Sequence, residues 1–390
     1  MRIALVSEIY PPRAGGAGWS TRALAMSLQE AGHDVRIVTT SAGPTDLDGL
    51  VISRLRFSGR KRFGIPQAIA QEVAALPSDV VIHAQHSLAV LGAHAVPDHR
   101  PYAATVRDHW PICFWSTRIS RGQRCPECGV RAMTRCVSGR LPVPAPFSWG
   151  LIPYMRWDLR AKRAALHRAS ARIAVSAAIA NELTTHGIED IDVIPNVVHP
   201  TDVDDAVKNE PAFSLPERFL LFVGKLETNK GAHLLVPAVA AARTGLPLVV
   251  LGVGRLARQM KHDALAQGVP LVMRGWVHRH DVLRVLARAT ALVFPSFWAE
   301  PLSRVLLESL ALGTPVAAID TGGTSEIIVD GESGLLAHDV PSLADAVSRL
   351  AAQAGERQRL SEGARARAQM FTPEALVPRY EAVYRRVVSA

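Results

Sequence analysis

Glu300 and Glu308 lie eight residues apart in FWAEPLSRVLLESLALGTPVAAIDTGGTSEIIVDGESGL, a segment that combines acid groups, a helix start and a Gly-Gly turn. Proline suits the first position of a helix, where its missing N–H is no loss, so Pro301 predicts a helix from about Pro301 to Leu312 that stops at Gly313. The N–H groups of Leu302, Ser303 and Arg304 then lack intrahelical partners, and with the positive end of the helix dipole they offer a phosphate site. Eight residues along a helix rise about 12 Å. Carboxylate pairs that hydrolyse glycosides stand roughly 5 Å or roughly 6.5–9.5 Å apart, so these two read instead as contacts to opposite ends of one long ligand. A capped helix with one exposed acid is the plainer alternative for Glu308.

E-P-L-S-R-V-L-L-E, followed by G-T-P-V-A and T-G-G-T-S-E, resembles the E-x7-E region of family 4 retaining glycosyltransferases. The resemblance implies an α/β chain of the GT-B fold, two Rossmann-like doubly wound domains facing a cleft. It also implies that Glu300 contacts hydroxyls of a donor sugar, Glu308 the nucleotide ribose, and the helix start at Leu302, Ser303 and Arg304 the diphosphate. LFVGKLETNKG at 221–231 is similar to the family's strand-loop segment, which makes Lys225 and Lys230 the diphosphate cations. The family usually has Arg where Lys225 stands, and the exchange keeps the charge but loses the bidentate fork.

A chain of 390 residues that is 48% hydrophobic exceeds what one core usually serves and has ample apolar material for two. No apolar run approaches a membrane span, and MRIALVSEIYPPRAGG reads as a strand and a turn with an early Glu8, not as a cleaved leader. A cytoplasmic protein is expected, with the inner face of a membrane as a further place of action.

The net charge of +9 is uneven. From Arg100 to Arg172 there are 14 Lys/Arg against Asp108, Glu127 and Asp158, a net of +11 that leaves −2 for the rest. Within PVPAPFSWGLIPYMRWDLRAKRAALHRA, Phe147, Trp149, Tyr154 and Trp157 lie beside Arg156, Arg160, Lys162, Arg163 and Arg168. Aromatics flanked by cations suit an anionic membrane surface or an acidic acceptor such as a lipid diphosphate; a solvated arginine-rich helix is the alternative. No nucleic-acid module is recognisable, so no nucleic-acid partner is expected.

Strand and helix patterns alternate as in doubly wound sheets. Ile3 to Val6, Trp19 to Glu30 and Val35 to Thr39 read as strand, helix and strand, with PPRAGGAG as the loop. Val80 to Ile82 runs into His83 and His86, Tyr102 to Val106 into Arg107, Asp108 and His109, and two further strands are expected at 172–175 and 193–194. Ligands of open α/β sheets bind at such carboxyl strand ends. The polar, Pro-rich stretch 200–217 marks a boundary between an acceptor-binding domain over 1–200, with a Cys-rich basic insertion at about 107–165, and a nucleotide-sugar domain over 201–371. In the second half strands are expected near 219–223, 247–251, 270–273, 291–294 and 315–319. Residues 372–390 read as an amphipathic helix that, by the resemblance, crosses back to the first domain.

Gly15-Gly16-Ala17-Gly18 falls between a strand and a helix, where backbone can approach a ligand. It fails the dinucleotide fingerprint in spacing and in the missing acid after the second strand. The resemblance places Gly15 and Gly16 over the donor phosphates or the acceptor; a tight turn is the alternative. Aligning TVRDHWPIC on the family's His-Asp segment sets Arg107 at the histidine and carries Asp108 over directly. Arg107, Asp108 and His109 therefore join Lys230 and Glu300 as the candidate catalytic set, with His109 either a donor in the cleft or a structural histidine beside Trp110. Trp276 is a candidate contact to the nucleotide base or a core residue.

Cys113, Cys125, Cys128 and Cys136 are the only cysteines and fall in one short segment, the middle pair as C-P-E-C. In a reducing compartment this favours a structural zinc with four thiolate ligands and no open position for hydrolysis; an iron–sulfur centre or redox disulfides are the alternatives. The residues and the resemblance together imply a retaining glycosyltransferase that moves a sugar from a nucleoside diphosphate, by the resemblance UDP first and GDP-mannose second, to a saccharide or lipid-linked acceptor in cell-surface glycan synthesis. By the resemblance no catalytic metal is expected. A sugar-nucleotide epimerase and a non-catalytic membrane- or partner-binding scaffold on the same fold are the rival readings.

Overall fold

Short apolar runs separated by amphipathic stretches build strands that are covered on both faces, which is the condition for parallel sheets. The computed structural model describes all residues except Arg13, Arg121, Gly122, Pro126, Pro142 and Val143, and only the backbone of Arg124, Ala145 and Pro146. Parts of the expected first loop, of the C-P-E-C pair and of the basic aromatic segment thus lie outside the described residues. The chain divides into two units, Met1–His199 with Pro373–Ala390, and Pro200–Thr372.

The first unit runs β1 (Arg2–Ser7), α1 (Gly16–Glu30), β2 (Asp34–Thr39), β3 (Asp46–Leu47), β4 (Leu50–Arg54), α2 (Lys61–Ala75), β5 (Val81–Ala84), α3 (Ser87–His94) and β6 (Tyr102–Val106). An insertion follows, with a small ribbon β7 (Ile119–Ser120) and β8 (Gln123–Arg124), then α4 (Val130–Arg140), α5 (Ala145–Ser148) and α6 (Ile152–Arg168). The unit continues with β9 (Ala171–Ala174), α7 (Ala177–Thr184) and β10 (Ile191–Val193). Its sheet has the order β10-β9-β6-β5-β1-β2-β4-β3, parallel except for the β3–β4 pair. Leu24 and Leu28 of α1 pack on Ile3, Leu5 and Ile37 of the strands.

The second unit begins with α8 (Pro200–Lys208), so the polar stretch expected as a linker starts as a helix. It alternates through β11 (Leu220–Val223), α9 (Ala232–Ala242), β12 (Leu248–Leu251), α10 (Ala257–Ala266), β13 (Leu271–Gly275), α11 (Arg279–Leu286) and β14 (Ala291–Phe294). Then come α12 (Arg304–Leu312), β15 (Val316–Ile319), α13 (Thr324–Ile327), β16 (Leu335–Ala337), α14 (Val340–Ala352) and α15 (Ala354–Ala368). Its sheet is parallel with the order β13-β12-β11-β14-β15-β16. This is the doubly wound arrangement in which chain order reverses beside the first strand. The last helix, α16 (Pro373–Val388), belongs to the first unit, where Leu376, Tyr380 and Tyr384 complete the core against Ile173 and Ile194.

His83, expected just beyond a strand, is instead inside β5 and fully buried. Its ring nitrogens meet Tyr384 Oη at 2.9 Å and Thr105 Oγ1 at 2.7 Å, and burial, with Arg107 nearby, pushes its pKa down to about 3. It is a neutral framework residue that ties β5 to α16. Among the described residues no helix is long and apolar enough to cross a membrane.

Candidate functional site

At the reversal in the second sheet, the loops leaving the carboxyl ends of β11 and β14 carry Lys230 and Glu300. Lys230 Nζ donates to both oxygens of Glu300, at 2.8 Å and 2.9 Å. Ser296 Oγ donates to Glu300 Oε2 at 2.9 Å, Trp298 Nε1 donates to the same oxygen, and the ammonium lies 4.9 Å from the Trp298 ring centre. Glu300 is almost fully buried, and a buried carboxylate of this kind is tolerable only with such a partner set. Two glycines permit the approach. Gly231 has φ 68°, and a Cβ there would collide with the Pro295 carbonyl; Gly322 has φ 58°, and a Cβ there would collide with the Glu300 backbone. Lys225 is exposed on the turn after β11, in the field of Glu227, which is paired with Arg255 at 2.7 Å.

The helix expected from Pro301 begins later. α12 starts at Arg304 with Ser303 as its extended N-cap, and the first helical bond runs from Leu307 N–H to the Ser303 carbonyl. The Glu300 carbonyl instead accepts from Gly323 N–H at 2.7 Å, which holds the chain at Glu300 in the preceding turn. The N–H groups at the start of the helix are therefore those of Arg304, Val305 and Leu306 in place of Leu302, Ser303 and Arg304. Gly313 ends α12 in the left-handed conformation, as its sequence position predicts.

Glu308 is neither exposed nor available as a lone acid. It is buried and paired with Arg279 at 2.6 Å and Arg304 at 2.8 Å, and the same two cations reach Asp202 of α8 at 3.0 Å and 3.7 Å. Burial acts to lower the Arg279 pKa, but Glu308 and Asp202 outweigh it and the guanidinium is held above its ordinary value. Trp276, after β13, is not a core residue: it is 59% exposed and lies edge-on to His278 at 4.7 Å.

At the reversal in the first sheet, the ends of β1, β5 and β6 bring Glu8, His86 and Asp108 together. His86 Nδ1 is 2.7 Å from Glu8 and Nε2 is 3.2 Å from Asp108. Glu8 also accepts from the N–H groups of Leu88 and Ala89 at 3.2 Å and 3.1 Å, the start of α3, and Asp108 accepts from Trp110 N–H at 2.8 Å. Burial acts to raise both carboxyl pKa values, yet His86 and these donors hold both below the ordinary range. Burial acts to lower His86, but the two carboxylates raise it to about 10. Neither Glu8 nor the pairing was legible as a site from spacing. The signal was present, since Glu8 directly follows the first strand and His86 follows the strand that becomes its neighbour.

The other candidates around Asp108 go elsewhere. Arg107 is buried and donates to Gln85 Oε1 and Asn196 Oδ1, and His109 is buried 2.7 Å from Glu182, which also takes Arg118 at 3.0 Å. Both sit in framework contacts, and of the three candidates Asp108 alone joins the His86 cluster. Gly15 caps α1, which starts at Gly16; both glycines are exposed and a Cβ on Gly15 would meet nothing within 4 Å. In the basic segment Phe147, Trp149 and Trp157 are exposed with Arg156, Arg160 and Arg168, but Lys162 turns inward onto buried Asp158 at 2.7 Å and Arg163 is half-buried. The four cysteines are unbridged and together line a cavity of about 20 Å³. Cys113 Sγ accepts from Arg118 N–H at 3.4 Å and Cys128 from the Phe114 backbone. Among the described residues no three His, Cys, Asp or Glu side chains form a ready-made metal-ligand group.

Two doubly wound parallel sheets, each with paired charges at its reversal point, define a GT-B type of enzyme. Residues 14–202 match the model of Glycosyltransferase Family 4 and residues 203–367 that of Glycosyl transferases group 1. The chain belongs to glycosyltransferase family 4 and is a glycosyltransferase. It is 28% identical over 389 residues to a glycogen synthase of Mycobacterium tuberculosis, covering 94% of this chain and 90% of the relative. It is 33% identical over 196 residues to a D-inositol 3-phosphate glycosyltransferase of Nocardioides, covering 44% of this chain and 43% of that protein. The fold is similar to that of sucrose-phosphate synthase from Thermosynechococcus elongatus, with a TM-score of 0.76 at 20% identity over 100% of both chains. It is also similar to Anabaena HepE solved in complex with UDP-glucose, with a TM-score of 0.70 at 16% identity over 98% of this chain and 99% of that one.

Arg279→Ala leaves Glu308 and Asp202 buried with Arg304 alone between them. The variant is expected to lose about 3 kcal/mol in denaturant unfolding, the lower part of the range for breaking a buried pair. A loss below about 1 kcal/mol, the level of an exposed pair, contradicts this account of the network.

Proposed function

We propose that this enzyme is a retaining hexosyltransferase that takes a sugar from a nucleoside diphosphate, with UDP preferred and GDP-mannose second, and passes it to a saccharide or lipid-linked acceptor. The observation that carries the reading is the Lys230–Glu300 pair at the reversal point of the second unit, where α/β sheets bind nucleotides. Glu300 would orient the sugar hydroxyls. Lys230, Lys225 and the N–H groups at the start of α12 would neutralise the departing diphosphate, which is where charge develops as the glycosidic bond breaks. Glu308 would reach the ribose from its place between Arg279 and Arg304, and the exposed Trp276 would stack on the base. UDP-glucose in Anabaena HepE supports UDP as the first donor to test. The acceptor would meet the first unit, with Asp108 as its polar contact and Gly15 and Gly16 giving the backbone close approach. No catalytic metal is needed in this scheme, since the cations and helix start serve the diphosphate.

Calorimetric titration with UDP, GDP and ADP tests the donor site. One diphosphate is expected to bind, and Lys230→Ala is expected to lose that binding and about 10²–10³-fold in turnover, as when one oxyanion contact is removed. Normal turnover in the variant would overturn the assignment. Products formed without acceptor would point to an epimerase, and no diphosphate binding at all to a scaffold.

The exposed aromatic and arginine side chains of 147–168 support a membrane-proximal acceptor and peripheral binding to anionic lipid. The enzyme is expected to sediment with anionic but not neutral vesicles, more weakly in high salt, and Trp157→Ala combined with Arg160→Ala is expected to reduce it. Equal sedimentation with neutral vesicles would sink this part of the reading.

Cys113, Cys125, Cys128 and Cys136 are proposed to hold one structural zinc. Four free thiols around a space of about 20 Å³, two of them already accepting backbone N–H groups, match a closed thiolate shell. Binding would require the sulfurs to draw inward, tying the insertion after β6 together. Metal analysis of the reduced protein is expected to give about one zinc per chain, and Cys128→Ser is expected to lower that occupancy and the melting temperature together. Iron with visible absorption, or no metal and disulfides by mass, overturns the zinc assignment.

A further inference from the structure

We propose that His86 is a positioning residue: a permanently protonated clamp between Glu8 and Asp108 that keeps Asp108 ionised and aimed for the acceptor. The inference rests on the reading of Asp108 as the acceptor contact and adds the device that maintains it. Both ring nitrogens of His86 face carboxylate oxygens, at 2.7 Å and 3.2 Å. A neutral imidazole has one N–H, so one of these contacts would set a lone pair against an anion; the imidazolium donates to both.

The two carboxylates are not equivalent. Glu8 is 8% exposed in its side chain and takes two N–H groups from the start of α3 besides the ring, so its acceptor sites are committed. Asp108 is 22% exposed and takes one backbone N–H besides the ring, which leaves it capacity for a hydroxyl from outside. Glu8 thus anchors the ring and Asp108 faces outward from it. The three residues follow three adjacent parallel strands, β1, β5 and β6, so the clamp also fixes the loops that carry them relative to one another. His109 is a further titratable group in the field of Asp108, and it is itself paired with Glu182.

Without the cation, both carboxylates would lose the charge that offsets their burial, and their pKa values would rise. The sign of the pH dependence follows. A His86 pKa raised from 6.5 to about 10 gives stabilisation that is complete below 6.5 and lost as pH rises through about 10. Lowered Glu8 and Asp108 pKa values give stabilisation that is present above their ordinary values and lost as pH falls through the native ones.

The test compares the wild type, His86→Gln and Glu8→Gln by the pH profile of kcat/KM and by nitrogen NMR of the histidine rings. In the wild type the His86 ring is expected to keep both N–H protons through pH 8, well past the ordinary 6.5. His86→Gln is expected to move the acid limb of the profile up by at least about one pH unit, since Asp108 loses its cation. Glu8→Gln is expected to leave the acid limb in place and to bring an alkaline loss into the measurable range as the ring pKa falls. A wild-type ring that titrates near 6.5, or a folded His86→Gln with an unmoved acid limb, overturns the proposal. If His86→Gln does not fold, Glu8→Gln and the ring titration decide it. Asp108→Asn separates the two levels: full turnover in that variant refutes the acceptor role of Asp108, while the ring titration still reports whether His86 bridges two carboxylates.

Discussion

A charge at the end of a buried parallel strand must find a counter-charge within the same crevice, and the rest of this molecule is arranged around that requirement. Parallel strands hide their middles on both faces, so groups that must meet a ligand gather at their ends. Where the strand order turns back, the two connecting loops leave on opposite sides and open a crevice at the carboxyl edge. In the second unit that place holds Lys230 and Glu300; in the first it holds Glu8, His86 and Asp108. The backbone conformations nearby follow from the same need, since Gly231 and Gly322 sit where any side chain would force the two loops apart.

The charges are already neutralised before any ligand arrives. Lys230 satisfies Glu300, Arg279 and Arg304 satisfy Glu308, and His86 satisfies two carboxylates at once. Leaving any one of them unpaired in a buried site costs several kcal/mol, so such groups are held in pairs or not at all. A diphosphate that engages Lys230 therefore exchanges partners with Glu300 and does not meet a bare cation. The side chain of Lys230 is 26% exposed against 6% for Glu300, so the ammonium is the half of the pair that a solution ligand can reach.

Much of the architecture was legible because doubly wound sheets write a regular alternation into the chain: the strands at 102–106 and 291–294 lie where their apolar runs predict. Element ends were less so. Pro301 reads as a first helical residue, but Ser303 caps better and the Glu300 carbonyl is held by Gly323, a contact across 23 residues that no local pattern contains. Lys162 reads as one of a row of exposed cations, yet it follows Asp158 by one helical turn, and Arg62, 96 residues from Asp158 in the chain, makes that aspartate a buried hub. The candidate residues come from motif and strand-end position, whereas their partners, Arg279 for Glu308 and Glu8 for His86, come from the fold and not from sequence neighbourhood.

In the segment after β6 one residue of three joins the strand-end cluster. Arg107, Asp108 and His109 are consecutive, and each goes to a different partner: Arg107 to Gln85 and Asn196, Asp108 to His86, His109 to Glu182. Arg107 ties the end of β6 to the loops after β5 and β10, and His109 ties it to α7 and, through Glu182 and Arg118, to the insertion. Arg118 in turn gives its N–H to Cys113 and its guanidinium to the Cys125 carbonyl, so the cysteine cluster is connected to the Asp108 loop through the His109–Glu182 contact and the Arg118–Glu182 ion pair. The flanking residues thus tie down the loop on which Asp108 stands.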